Sequence, residues 1–275
     1  MCRLFGLTAG TARVRATFWL VDAPDSLEVQ SKRNVDGCGI GFFDAAGEPV
    51  LDKQPEPAFR DPEFIHEAQD AESTTFVAHV RWATAGARNV RNTHPFAMRG
   101  RIMAHNGGFG ELAKLTGQLG PYNDLVLGDT DSERYFALIT QQAEAHGGDV
   151  GAGMTAAASW IGANLPVSSL NAIVSTGDEL WALRYPGQHA LHILNRVAGS
   201  GLHVRSSTSS VHSPGLESAV VVASEALDGE TGWRMLAAGE LIHVRPDLSV
   251  ESAVVITAAP ARLVPLNAGS PNIDT

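Results

Sequence analysis

The chain has 275 residues, 44% of them apolar, enough to build a substantial core in one large domain or two small ones. With 20 basic against 30 acidic residues the net charge is −10, which repels nucleic-acid phosphates and anionic lipid heads and disfavours both as partners. Cys2 and Cys38 are the only cysteines, too few for a secreted disulfide scaffold; with no signal-peptide pattern and no long apolar run, the expected setting is the cytoplasm.

No internal repeat or linker divides the sequence, so one domain is expected over 2–258, followed by a loosely held tail over 259–275. In chain order, short apolar or β-branched runs predict strands at Arg3–Leu7, Gly39–Phe43, Thr75–Val80 and Ile102–Ala104. Thr130-x-x-Glu133 then has the form of a capping box, and Tyr135, Leu138, Ile139 and Gln142 follow at helical spacing, which predicts a helix over Asp131–His146. A second helix is expected from Asp149, with Val150, Met154, Ala157, Ala158 and Ile161 on one face, stopping before Pro166. The two should pack together on a sheet. Further strands are expected at Asn171–Ser175, Leu180–Arg184, Leu191–Leu194, Ala219–Ala223 and Leu241–Val244, while Arg196–Ser218, rich in Ser, Gly and His, reads as a surface loop. Strands with a central helix pair suggest sheets covered by helices, an α+β arrangement.

Cys2 is the first candidate for chemistry. Removal of Met1 would leave an α-amine, of typical pKa about 7.7 to 8.0, on the same residue as a thiol, so that one residue supplies both nucleophile and base. Arg81 lies where the strand Thr75–Val80 ends; it can hold a carboxylate through two parallel hydrogen bonds or serve an ordinary surface ion pair. Asn106-Gly107, after the strand ending at Ala104, reads first as a turn, yet the Asn106 amide and the Gly107 N–H are suitable donors to an oxyanion. Asp131 in the first turn of its helix can stabilise the helix dipole or grip an ammonium group, in which case it and Arg81 would recognise the two charged ends of an amino acid.

Met1-Cys2-Arg3-Leu4-Phe5-Gly6, Asp36-Gly37-Cys38-Gly39-Ile40-Gly41, Arg81-Trp82-Ala83-Thr84, His94-Pro95-Phe96, His105-Asn106-Gly107 and Thr130-Asp131-Ser132-Glu133 occur in the order seen in class II glutamine amidotransferases, and Val222–Asp228 with Gly232-Trp233 resembles the late region of short members. The chain resembles a stand-alone member, similar to the ergothioneine-pathway γ-glutamyl hydrolase group. The resemblance implies an N-terminal nucleophile hydrolase fold, a four-layer α/β/β/α sandwich with two mainly antiparallel sheets. It also implies that Cys2 attacks the side-chain amide of glutamine or another γ-glutamyl amide to form a γ-glutamyl thioester, that Asn106 and Gly107 stabilise the oxyanion, that Arg81 binds the α-carboxylate and Asp131 the α-ammonium, and that Trp82, Thr84 and His94 shape the pocket. No cofactor or metal is implied; any ammonia released would serve a separate accepting partner. Cys38, Ala85 and Ala226 stand where relatives commonly have tryptophan, histidine and proline.

Other readings are weaker. Gly37-x-Gly39-x-Gly41 lacks the spacing of a phosphate loop, and His79, His94 and His105 lack the spacing of a zinc site. No Gly-x-Ser-x-Gly elbow occurs. A non-catalytic module that binds glutamine on the same fold is the alternative of a different class.

Overall fold

The computed structural model describes residues 2–83, 87–196 and 218–265. Its first sheet contains β1 (Arg3–Thr8), β2 (Cys38–Phe43), β3 (Pro49–Gln54), β4 (Thr75–Val80), β9 (His192–Arg196), β10 (Ala219–Ala223) and β11 (Arg234–Met235), in the order β11-β9-β10-β1-β4-β2-β3. The second contains β5 (Phe96–Met98), β6 (Arg101–Phe109), β7 (Pro166–Ser175), β8 (Leu180–Arg184), β12 (Glu240–Val244) and β13 (Val250–Val254), in the order β13-β12-β8-β7-β6-β5. All these pairings are antiparallel; among the described residues only β14 (Arg262–Leu263) runs parallel, against the start of β7.

Alternation along the strands creates the layers. Leu4, Val77 and Phe43 on one sheet meet Ile102, Ala104, Ile173 and Leu180 on the other in an apolar seam between the sheets. The opposite face of the first sheet, with Phe5, Leu7, Ile40 and Phe76, is covered by α1 (Leu27–Ser31) and α2 (Pro62–Asp70). The outer face of the second, with Met103, Leu170 and Leu183, is covered by α3 (Leu112–Leu119), α4 (Asp131–Ala145) and α5 (Val150–Asn164). This is the four-layer α/β/β/α sandwich, and each fully buried Leu, Ile or Phe in its seams contributes about 1.5–3 kcal/mol.

Both predicted helices form. Thr130 Oγ1 accepts from Glu133 N–H at 3.2 Å, but the Glu133 carboxylate does not complete the box: it accepts from Leu127 and Gly128 N–H at 2.8 and 2.6 Å and so anchors the preceding loop. Asp149 caps α5 through Ala152 N–H at 2.9 Å. α4 and α5 approach closely because Gly153 sits where a side chain would strike the Ala143 backbone.

The expected strand at Ile102–Ala104 is longer, and this corrects the turn reading of Asn106-Gly107: β6 continues to Phe109, with Asn106 opposite Asn171 and Gly107 opposite Leu170 on β7. Of the tail expected from 259, Arg262–Leu263 is tied into the sheet and 266–275 lies outside the described residues, as does 197–217 of the expected surface loop. Among the described residues no helix is long and apolar enough to cross a membrane.

Candidate active site

The site lies at the end of the seam where the inward-facing side chains turn from apolar to polar. By strand alternation Cys2 follows Leu4 and Gly6 on the inner face of β1, while His79 and Arg81 follow Val77 on the inner face of β4. Since Arg3 pairs with Val80, the next step of the ladder brings Cys2 beside Arg81. β10 holds the same end of β1 from its other side: Ser224 Oγ accepts from Leu4 N–H at 2.9 Å, Ser224 N–H donates to the Leu4 carbonyl at 3.0 Å, and Arg3 pairs with Glu225 at 2.6 Å. The first and last thirds of the sequence thus fix the nucleophile candidate together.

Among the described residues, one holds the Cys2 sulfur. Trp82 N–H donates to Sγ at 3.3 Å and the thiol lies 3.4 Å from the Trp82 carbonyl, while Trp82 itself is 45% exposed. Burial pushes the thiol pKa up, the Trp82 N–H and the Arg81 charge pull it down, and Asp131 raises it. A thiol so placed is protonated at rest and needs a base to become nucleophilic.

Arg81 is buried, its chain fixed by Arg81 N–H to the Gly37 carbonyl at 2.8 Å and its guanidinium reaching the Ala87 carbonyl at 3.3 Å. Burial disfavours its charge, whereas Cys2, Asp36 and Asp131 favour it. Asp131 opens α4 and links it to β6: one carboxylate oxygen accepts from Phe109 N–H at 3.3 Å, the other from Ser132 N–H at 2.8 Å. His105 completes that link, with Nδ1 2.9 Å from Ser132 Oγ and Nε2 3.2 Å from the Ser169 carbonyl.

Asn106 lies on the inner face of β6, buried, and its side-chain amide makes no hydrogen bond among the described residues. Gly107 follows because nothing else fits: a Cβ there would overlap the Ser169 carbonyl oxygen. His94 is buried with its ring 4.2 Å from that of His79 and 4.6 Å from Phe96, and burial drives its pKa far down, so it is neutral. The structure therefore gathers Cys2, Arg81, Trp82 and Asp131 through direct contact or charge, puts Asn106 and Gly107 on the facing strand, and stacks His94 on the strand that carries Arg81. Thr84 and Ala85 lie outside the described residues. Cys38 is away from the pocket: it faces the outer layer, 3.5 Å from Asp61 at the start of α2.

Sequence reasoning missed several supports. Asp36 accepts from Ala83 N–H at 2.8 Å and pairs with Arg88 at 3.3 Å, bracketing the turn after Arg81-Trp82; its place beside Gly37 was the available signal. Asn171, Arg184 and His189 form a second group. Asn171 Nδ2 donates to the His189 and Ala190 carbonyls at 3.3 and 3.2 Å, and Arg184 Nε donates to the same His189 carbonyl at 2.7 Å. A polar residue within the apolar run of β7 was the only hint of Asn171.

A sequence profile described as "Glutamine amidotransferases class-II" matches residues 1–262. The chain is 30% identical over 268 residues to the gamma-glutamyl-hercynylcysteine sulfoxide hydrolase of Mycobacterium tuberculosis, covering 94% of this chain and 97% of that protein. It is 30% identical over 223 residues to the putative glutamine amidotransferase YafJ of Escherichia coli, covering 74% and 83% of the two. Among solved structures, a glutamine aminotransferase class-II domain protein from Silicibacter pomeroyi matches with a TM-score of 0.62 at 22% identity, over 92% of this chain and 98% of that one. The glutamine phosphoribosylpyrophosphate amidotransferase of B. subtilis matches with a TM-score of 0.64 at 19% identity, over 94% of this chain and 50% of that one.

Proposed function

The chain belongs to the class-II glutamine amidotransferases, an enzyme family of amidohydrolase type, and from that premise we propose that Cys2, freed by removal of Met1, cleaves a γ-glutamyl amide. The observation that carries this reading is the convergence on one sulfur: the Trp82 backbone touches it, and the charges of Arg81 and Asp131 both act on it. Arg81 and Asp131 have the signs needed for the α-carboxylate and α-ammonium of a glutamyl group. The Asn106 amide, which makes no hydrogen bond among the described residues, and the Gly107 N–H are the donors for the oxyanion.

In this mechanism the α-amine of Cys2 takes the thiol proton, directly or through one water, and the thiolate attacks the side-chain carbonyl. The C–N bond breaks as the ammonium proton passes to the leaving nitrogen, giving a γ-glutamyl thioester and ammonia or an amine. Water then attacks the thioester with the amine again as base, releasing glutamate and the thiol. The Trp82 contacts orient the sulfur throughout, and the exposed indole forms one wall of the mouth.

The substrate proposed is a γ-glutamyl amide with a leaving group larger than ammonia. The activity for which the mycobacterial relative is named, aligned over nearly its whole length, supports this preference over glutamine itself. Parallel measurement of glutamate and ammonia released from glutamine and from a series of bulkier γ-glutamyl amides tests it. Glutamate appearing with little ammonia, fastest from the bulky amides, is expected; stoichiometric ammonia from glutamine alone would instead indicate a donor for an accepting partner. Binding without turnover by protein whose mass shows Met1 in place would indicate the non-catalytic module.

A further inference from the structure

We propose that Lys53 is a positioning residue for this pocket: its ammonium fixes the backbone on both sides of His94 and so sets where the His94 ring stands. The inference rests on the amidohydrolase reading above and adds a determinant of substrate binding to it.

Lys53 Nζ donates to the Thr93 carbonyl at 2.9 Å and to the Pro95 carbonyl at 3.2 Å, the carbonyls of the two residues that flank His94. The same ammonium lies 4.8 Å from the centre of the Phe96 ring, and Phe96 packs on His94 at 4.6 Å. Lys53 is opposite Gly39 in the β2–β3 ladder, and a side chain at Gly39 would strike the His94 carbonyl oxygen, so the glycine is what lets this corner come up to the lysine. Both ring nitrogens of His94 are buried without a hydrogen-bond partner among the described residues. The ring is therefore located by stacking and by its backbone, and Lys53 is the charged group that grips that backbone. Burial lowers the Lys53 pKa to about 8, opposed by the Glu133 charge; a half-sequestered ammonium is costly, and two carbonyl acceptors and an aromatic face are what compensate it.

The test uses the full chain with Lys53→Met, which keeps the aliphatic stem and removes the donors. Two quantities are read: the His94 ring-proton resonances, assigned by their loss in His94→Gln, and the steady-state constants for a γ-glutamyl amide. Lys53→Met should shift the His94 resonances, raise KM about tenfold and leave kcat within about twofold, the pattern of a lost ground-state binding contribution. Unmoved His94 resonances, or an unchanged KM in an active enzyme, would overturn the inference. Absence of turnover in the unsubstituted protein would overturn the functional reading instead, leaving the resonance shift to decide whether Lys53 positions His94.

Discussion

Asn106 and Asn171 face each other in register across β6 and β7, yet their amides are used in opposite ways. Asn171 is fully engaged, accepting from Tyr185 N–H at 3.0 Å and donating to the His189 and Ala190 carbonyls. Asn106, buried beside it, has an amide with no partner among the described residues. One asparagine builds the wall, and the other is the oxyanion donor proposed above.

Substituting each separates these roles. Asn106→Ala should lower kcat by about 10² to 10³ with little change in unfolding midpoint, as expected for loss of an oxyanion donor. Asn171→Ala should cost about 1–3 kcal/mol of stability, because buried acceptors lose their donors. Denaturation and turnover measured on both would contradict the oxyanion assignment if Asn106→Ala left kcat intact.

Cys2→Ala should abolish glutamate release from every γ-glutamyl amide while preserving the circular dichroism spectrum. Intact-mass measurement of the active protein should give a chain beginning at Cys2. Undiminished turnover in the alanine variant would remove the proposed mechanism.

Arg81→Ala should weaken binding of the glutamyl group by roughly 2 to 4 kcal/mol, read as a rise in KM, since a buried charge-assisted contact is lost. An unaffected Michaelis constant would assign the α-carboxylate to another residue.

Gly107→Ala should destabilise the protein by at least about 1–3 kcal/mol, because the new methyl group would occupy the space of the Ser169 carbonyl and force β6 and β7 apart. Gly117→Ala provides the contrast: in α3, with open space around the glycine, it should stabilise by about 0.5–1 kcal/mol. Urea titrations of the pair read both signs in one experiment.

Stability should fall on acidification below about pH 6.5, the unfolded histidine value. Burial lowers His79 to about 3 and His189 to about 4, so between those values and 6.5 the unfolded chain binds protons that the folded one refuses. Their contribution is complete above 6.5 and is lost as pH drops through the folded values. Asp52 opposes this: burial and Asp61 raise it to about 6, so folding favours its protonated form between the ordinary carboxylate range and 6. With two histidines against one half-buried carboxyl, urea midpoints at pH 7 should exceed those at pH 5; a flat profile would contradict the neutral histidine stack.

Most of the fold was legible in the sequence because its central strands carry β-branched or apolar runs and its two long helices begin at cap residues. Edge strands were not: β3 and β13 are partly or largely solvent-facing, so burial imposes no alternation on them. α2 had a readable start in Asp61-Pro62, whose carboxylate accepts from Glu63 N–H at 3.1 Å, but its nine residues bury only Phe64 and Ala68. Asn106-Gly107 misled because the dipeptide favours turns; pairing with β7, with glycine required against Ser169, outweighs that local preference.

The sequence by itself determined which chemical groups are available, since thiol, guanidinium, carboxylate and amide are fixed by residue type and their ordered motifs identify the family. Only the tertiary structure decided that they meet. One ladder sets Cys2 beside Arg81, a facing sheet supplies Asn106, a helix start brings Asp131, and Lys53, Asn171 and Asp36 enter through backbone contacts. Such contacts join residues far apart along the chain through carbonyl and N–H groups common to nearly every residue, so no local pattern of side chains announces them.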